Sequence, residues 1–87
     1  MLSTPYISLV EPNDDHTLTL TFENGERRLL DMKPYLKTPV FAPLIELEFF
    51  RQVRIVYGSL EWPGERDLAY NSLYAESAPL EPIPQEG

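Results

Sequence analysis

The sequence predicts an α+β fold, in which a small antiparallel sheet of four to five short strands packs with two or three short helices in the order β-β-β-α-β-β-α. Two patterns predict this class. Residues 16–23 alternate leucine or phenylalanine with threonine, as half-buried antiparallel strands do. The other apolar segments are short and are interrupted by nine prolines and four glycines. The 87 residues suffice for one domain.

The first strand is predicted over Tyr6–Val10, a β-rich segment that lies between Pro5 and Pro12. Proline has no backbone N–H and therefore fits the ends of a strand rather than its middle. The two-residue period of a strand places Ile7 and Leu9 on one face.

The next two strands are predicted over His16–Glu23 and Glu26–Met32, with an Asn-Gly pair between them that is typical of hairpin turns. In the second strand, Leu18, Leu20 and Phe22 share one face, and the threonines share the other. The first of these faces is predicted to lie on the core.

The length of the hairpin loop decides which side chains meet. A two-residue loop would place Glu23 opposite Glu26, two like charges. A three-residue loop pairs Leu18 with Leu30 and brings the apolar side chains of both strands onto one face. We therefore predict the three-residue loop, with Gly25 in the left-handed conformation that glycine adopts at little cost.

Prolines divide the segment after this hairpin into short turns. Pro34 can open a helical turn that runs to Lys37, since proline fits the first helical position. Thr38 and Pro39 are predicted to be the N-cap and first residue of a second turn, which Pro43 ends. A short helix is then predicted over residues 45–52, with Leu44, Leu47 and Phe50 facing inward.

Two more strands are predicted over Val53–Tyr57 and Leu60–Trp62, with a turn at Gly58-Ser59 between them. A final helix is predicted to end near Glu76, with Asp67 or Asn71 as its cap. Residues 1–78 are predicted to form the domain, and residues 79–87, rich in proline and glutamate, to form a flexible tail.

Composition and charge limit the classes of function. Fourteen acidic residues outnumber seven basic ones, for a net charge of −7, which disfavours direct binding to nucleic acids or to anionic membranes. The same charge would attract a basic protein partner, and it also keeps a small protein soluble. There is no cysteine, no signal-peptide pattern and no membrane-length apolar run, so a cytoplasmic location is predicted.

The residue types that carry catalysis or bind metals and cofactors do not form a recognisable pattern. His16 is the only histidine, and no serine lies in a nucleophile motif. The glycines are isolated, so no phosphate-binding loop is predicted. The acidic group Glu11, Asp14 and Asp15 beside His16 lacks the order of a calcium loop. We therefore predict no catalytic, cofactor-binding or metal-binding residues and no enzymatic activity.

Aromatic side chains in the last third of the chain are the candidates for binding a partner. Tyr57, Tyr70, Tyr74 and the nearby Arg54 are of the types that anchor protein interfaces. For Tyr57 and Trp62, burial in the core is the competing interpretation, and we favour it. A second predicted contact is a sheet edge, where unpaired backbone groups could bind a protein partner or a second copy of the chain.

Six segments of the chain form a further pattern: Leu20–Glu26, Leu30–Leu36, Val40–Leu44, Phe49–Val53, Trp62–Leu68 and Leu73-Tyr74. Together they resemble a family of small bacterial domains of unknown function. Members of the family that the chain resembles are sometimes stand-alone and sometimes fused ahead of a helix-turn-helix domain, and some are encoded beside toxin-like proteins. The chain departs from the family pattern in two places: Tyr70 stands where proline often opens the last helix, and Glu46-Leu47 replaces a frequent Asp-Pro.

The resemblance implies a regulatory or partner-binding role, of which an antitoxin-like role is one form. It implies no reaction and no catalytic residues. Together with the composition, it predicts a non-enzymatic protein-interaction module. The alternative is a small regulatory subunit that acts near DNA through its partner. An enzyme of unknown reaction is a second and less supported alternative.

Overall fold

The computed structural model describes residues 4–80, which form two antiparallel sheets around a shared core. The first sheet has four strands in the order β1-β2-β3-β7, and the second has three in the order β4-β5-β6. The strands are β1 Ile7–Pro12, β2 Thr17–Phe22, β3 Arg27–Asp31, β4 Arg54–Val56, β5 Ser59–Trp62, β6 Arg66–Leu68 and β7 Ala78–Pro79.

The predicted α+β class agrees with this architecture, but the prediction of a single sheet is wrong. A proline-rich segment of helical turns separates β3 from β4, so β4 cannot extend the first sheet through a hairpin and pairs with β5 instead. The strands β6 and β7 were not predicted. They have three and two residues, too few to show an alternating pattern, and they are strands because β5 and β3 pair with them.

The helical elements are shorter than predicted. Two 3₁₀ turns span Tyr35–Lys37 and Ala42–Ile45, followed by a single α-helical turn, α1, at Leu47–Phe50. The one longer helix, α2, spans Tyr70–Glu76. The predicted helix over residues 45–52 is therefore wrong at both ends. The extended backbone at Glu46 separates Ile45 from the start of α1, and Arg51 is already the C-cap residue at its end.

The turn predicted at Pro34 is present, and the turn predicted to begin at Pro39 is closed by a hydrogen bond from the Ala42 N–H to the Thr38 carbonyl at 2.9 Å. The side-chain cap predicted for Thr38 is wrong, because its hydroxyl donates back to the Tyr35 carbonyl at 2.7 Å. Pro43 lies in the first turn of the 3₁₀ segment Ala42–Ile45 rather than ending a helical turn. That position needs no backbone N–H donor, so proline is tolerated there.

A β-bulge changes the faces of β1. Ile7 pairs with Phe22, and the next pair is Leu9 with Thr21, so Ser8 is an extra residue in β1. The prediction that Ile7 and Leu9 share a face is therefore wrong: Ile7 is 2% exposed and Leu9 is 51% exposed.

The hairpin between β2 and β3 is confirmed as predicted. Leu18 pairs with Leu30, and the Phe22 N–H donates to the Glu26 carbonyl across a three-residue loop. Gly25 has a φ of +88° in that loop. The side chains of Leu18 and Leu30 are buried, as the pairing requires.

The hairpin between β4 and β5 turns one residue earlier than predicted. Val56 pairs with Ser59, so the two turn residues are Tyr57 and Gly58 rather than Gly58 and Ser59. Both turn residues have positive φ, +51° and +79°, as in the type I′ turn that suits the twist of a hairpin. A tyrosine therefore occupies a backbone conformation that only glycine, asparagine and aspartate adopt readily.

The caps predicted for the last helix are wrong, although the helix ends at Glu76 as predicted. Asp67 lies in β6 and Asn71 lies inside α2, while the N-cap residue is Ala69. The Tyr70 N–H at the start of α2 instead donates to the Ser59 hydroxyl, at 2.9 Å. A side chain of β5 thus satisfies a donor that the helix leaves open.

The core combines both sheets with the connecting segment. Trp62 is 1% exposed, its ring stacks on Phe50, and its indole N–H donates to the Phe50 carbonyl at 2.9 Å. The core interpretation of Trp62 is therefore confirmed. The other buried apolar residues are Ile7, Leu18, Leu20, Phe22, Leu30, Met32, Phe41, Leu44, Leu60 and Leu73.

The predicted boundary between domain and tail, after residue 78, falls within β7. Pro79 pairs with Arg28, and the Leu80 N–H donates to the Arg27 carbonyl at 3.0 Å. The rest of the predicted tail, residues 81–87, lies outside the described residues. Within residues 4–80, no helix has both the length and the apolar character needed to cross a membrane.

Candidate functional site

Tyr57 is the most exposed large hydrophobic side chain of residues 4–80. It is 94% exposed, so the interpretation of Tyr57 as a core residue is wrong. The reason is its place at the tip of the β4–β5 hairpin, which the one-residue shift of the turn produces. The main chain presents a large aromatic side chain to solvent at a strained position.

Tyr6 and Tyr70 lie beside this turn. The ring of Tyr6 packs on the backbone of Gly58, where a β-carbon would come within 2.5 Å of Tyr6 Cγ. The rings of Tyr6 and Tyr70 are in edge-to-face contact, with centroids 4.7 Å apart. We call Tyr6, Tyr57 and Tyr70 the tyrosine patch.

Two hydrogen bonds join the patch to the rest of the fold. The Ile7 N–H, next to Tyr6, donates to the Gly58 carbonyl at 3.0 Å and links the two sheets. The Tyr70 N–H donates to Ser59, next in the chain after Gly58. The patch therefore forms where β1, the β4–β5 turn and the start of α2 meet.

The outer face of the second sheet continues from this turn. Arg54, Glu61 and Asp67 form one row across its three strands, because Arg54 pairs with Glu61 and Glu61 pairs with Asp67. Arg54 is 73% exposed and binds the Glu61 carboxylate at 2.9 Å. Asp67 is exposed and forms no ion pair within residues 4–80. The single guanidinium of this row therefore neutralises only one of its two carboxylates.

Tyr74, the remaining predicted partner-binding residue, is held within the domain. Its hydroxyl donates to Glu26 at 2.7 Å, and its ring packs edge-to-face on Phe22. The guanidinium of Arg28 lies 4.4 Å from the centre of the Tyr74 ring and also binds Glu26 and Ser77. These contacts fasten α2 to β3, which leaves Tyr74 only partly accessible.

This network shifts two ionisation equilibria. The hydrogen bond from Tyr74, followed by the contact with Arg28, lowers the pKa of the Glu26 carboxyl below its ordinary value. The same hydrogen bond raises the pKa of the Tyr74 hydroxyl. Both shifts favour the pair of an ionised carboxylate and a neutral phenol, which is the pair that holds α2 in place.

The four sheet edges offer little backbone to an added strand. At the β1 edge, the Ile7 N–H is already bonded to Gly58, and Pro12 ends the strand without a donor. The edge strands β4 and β6 have three residues each, and β7 has two. An edge contact with a partner or a second copy would therefore be short.

A shallow cleft of about 450 Å³ lies between the end of β3, the first 3₁₀ turn and the end of α2. The Tyr35 hydroxyl donates to Glu76 across it. Burial, with a smaller contribution from Glu76, raises the pKa of Tyr35 to about 12. Tyr35 therefore stays neutral at physiological pH. The cleft is lined by Leu30, Asp31, Pro34, Tyr35, Thr38 and Glu76.

The acidic group near the first turn is dispersed into separate contacts. Asp15 accepts hydrogen bonds from the Thr17 side chain and backbone, which lower the pKa of its carboxyl. Asp14 pairs with Arg51, and the imidazole of His16 contacts the Ile45 carbonyl. Within the described part of the chain, no three histidine, cysteine or acidic side chains lie close enough together to hold a metal ion.

The sequence predicted Arg54, Tyr57 and Tyr70 as partner-binding residues, but it did not indicate such a role for Tyr6 or Asp67, and Asp67 was predicted only as a helix cap. Tyr6 was assigned to the first strand only, and its approach to Gly58 depends on a contact 52 residues along the chain. The one signal in the sequence for this site was the Tyr-Gly pair itself, since Gly58 at the second turn position fits a type I′ turn with Tyr57 at the first.

The fold and this site define a small α+β protein that has two antiparallel sheets and an aromatic patch on a strained hairpin turn. The chain belongs to the family of proteins of unknown function DUF2442, whose family model matches residues 7–79. This membership agrees with the resemblance to a family of unknown function. No curated protein and no solved structure matches the chain.

Proposed function

We propose that this protein is a non-enzymatic interaction module that binds a partner protein through the tyrosine patch. The observation that carries the proposal is Tyr57, a tyrosine 94% exposed at a φ of +51°. Aromatic side chains of this size are enriched among the residues that dominate binding energy at protein interfaces.

The conformation of Tyr57 supports a binding role over a structural one. A non-glycine residue in the left-handed region costs roughly 1–2 kcal/mol, and asparagine before Gly58 would reduce that cost. Because the ring is almost fully exposed, it contributes almost no burial that could offset this conformational cost. Backbone strain that no contact within the free domain compensates is typical of residues that function in binding.

Tyr6 and Tyr70 support the proposal because they place ordered side chains around the exposed ring of Tyr57. Their edge-to-face contact and the packing of Tyr6 on Gly58 hold two more aromatic rings beside the turn. A partner would meet a surface that is ordered before binding, which reduces the entropy lost on association.

An antitoxin-like role and a regulatory subunit that acts near DNA would both be particular forms of this proposal. In each form, the patch contacts a protein, and the chain itself does not contact nucleic acid. Pairing of a sheet edge with a second copy is the competing form, and the short edge strands offer it limited support.

Site-directed photo-crosslinking in the native host cells tests the proposal. The chain carries p-benzoylphenylalanine at position 57 or, as a matched control, at position 45, where Ile45 is 57% exposed on a 3₁₀ turn. We expect a discrete adduct with another protein from position 57 only. That adduct should disappear when Tyr6→Ala is added.

Two results would contradict this proposal. Equal adducts from both positions would mean that exposure alone determines capture. An adduct that contains only two copies of this chain would mean that the patch mediates a homodimer and does not bind a separate partner.

A further inference from the structure

We infer that the partner segment recognised here is basic, and that it lies across the outer face of the second sheet with its cations against Glu61 and Asp67. This inference rests on the proposed function and names the chemistry of the partner at the same site. The face is continuous with the tyrosine patch, since the β4–β5 strands lead directly into the Tyr57 turn.

The arrangement of charges on this face carries the inference. Glu61 and Asp67 are direct cross-strand partners on β5 and β6. Val56 and Ser59 flank a two-residue turn and form a hydrogen-bonded pair, so the alternation of the ladder makes Glu61 and Asp67 a pair without hydrogen bonds. In such pairs the Cα atoms are only about 4.5 Å apart.

Two carboxylates this close repel each other in the free protein. Arg54 neutralises only one of them, through contacts to a single oxygen of Glu61 at 2.9 and 3.3 Å. The Asp67 carboxylate is left facing solvent without a cation from residues 4–80. An arginine or lysine from a partner would neutralise the Asp67 carboxylate and thereby remove its repulsion with Glu61.

The surroundings favour the same occupant. The Glu23 N–H donates to the Tyr6 carbonyl, which places another exposed acidic residue beside the patch. The exposed ring of Tyr57 can accept a guanidinium or ammonium on its face, and the net charge of −7 attracts a basic chain from a distance.

The test titrates the isotope-labelled full chain with a capped octapeptide of alternating arginine and glycine and follows backbone amide resonances. Two matched peptides carry glutamine or glutamate in place of arginine. We expect saturable shifts confined to residues 54–70 and the neighbours of Tyr6 for the arginine peptide. The affinity should fall as salt is raised.

Charge variants separate a local contact from a general attraction. Asp67→Asn should weaken binding about two- to fivefold, the range expected for one exposed ion pair. The control Glu48→Gln removes the same charge from the exposed side of α1 and should leave affinity nearly unchanged. Asp67→Asn should not lower the unfolding midpoint, because it also removes the repulsion with Glu61.

The inference is overturned if the arginine peptide shows no saturable binding, if the glutamine peptide binds equally well, or if Glu48→Gln weakens binding as much as Asp67→Asn. These results leave the proposed function standing as long as the crosslink at position 57 still depends on Tyr6. Loss of that crosslink, with the peptide still bound at Asp67, would instead contradict the proposed function alone.

Discussion

The ring of Tyr6 occupies the space in which a β-carbon on Gly58 would lie. An added Cβ would approach Tyr6 Cγ, Cβ and Cδ1 at 2.5, 2.6 and 2.7 Å. Tyr6 Cβ is fixed by its own backbone, so a change of rotamer cannot relieve this contact and the chain at the start of β1 would have to move. This contact ties the first strand to the β4–β5 turn and holds the tyrosine patch together.

Gly58→Ala is therefore expected to destabilise the domain more than Gly25→Ala, although both glycines have similar positive φ values of +79° and +88°. A β-carbon on Gly25 would meet no atom within 4 Å. We expect a difference of at least about 1 kcal/mol in the free energy of unfolding, from overpacking. Urea titrations measure it. Tyr6→Ala keeps the β-carbon at 2.6 Å and should remove only part of the difference, whereas Tyr6→Gly should remove it, and a full difference in the glycine background would contradict the contact.

Gly25→Val is expected to lower the free energy of unfolding by more than about 1 kcal/mol. The site is open, so the cost comes from a β-branched residue at positive φ in the three-residue loop. Gly25→Asn is the matched control and should cost less, because asparagine tolerates this conformation. A denaturant midpoint unchanged by valine would be incompatible with the assigned loop.

Tyr57→Asn is expected to stabilise the domain by about 1 kcal/mol while weakening partner binding. Asparagine before glycine is the preferred pair for a type I′ turn, and removal of a ring that is 94% exposed sacrifices almost no burial. Thermal and chemical unfolding measure the gain. A loss of stability would show that the tyrosine serves the fold, contrary to our proposal.

The stability of the domain is expected to fall in acid partly through Glu26. Its pKa in the folded state is lowered from the ordinary value of 4.5 by the hydrogen bond from Tyr74 and by Arg28. Its contribution is therefore complete above the unfolded pKa and is lost as the pH falls through the folded pKa. Glu26→Gln should cost stability at pH 7 and show a smaller further loss below about pH 4.5.

Unfolding curves collected from pH 7 to pH 3 for both proteins test this expectation. Glu48→Gln is the control, because Glu48 lies on the exposed side of α1 and has no ion pair within residues 4–80. Parallel stability profiles for the native protein and Glu26→Gln would show that the Tyr74 contact does not hold α2 in place.

The sequence by itself determined the parts of the fold that depend on neighbouring residues. The alternation around Leu20 specified β2 and its buried face, and the loop length followed from which face Leu30 must occupy. Burial of Trp62 also followed from composition, since a small domain buries its largest apolar side chain. These inferences needed no knowledge of distant contacts.

Only the tertiary structure decided the features that define the site. The bulge at Ser8, the pairing of β7 with β3, and the capping of α2 by Ser59 each depend on contacts between elements that do not follow one another directly in a tight turn. The exposure of Tyr57 was mispredicted because a one-residue shift of a turn reverses burial, and pairing between strands sets that shift. Local propensity cannot supply such long-range contacts, and here they bring Tyr6, Tyr57 and Tyr70 to one surface.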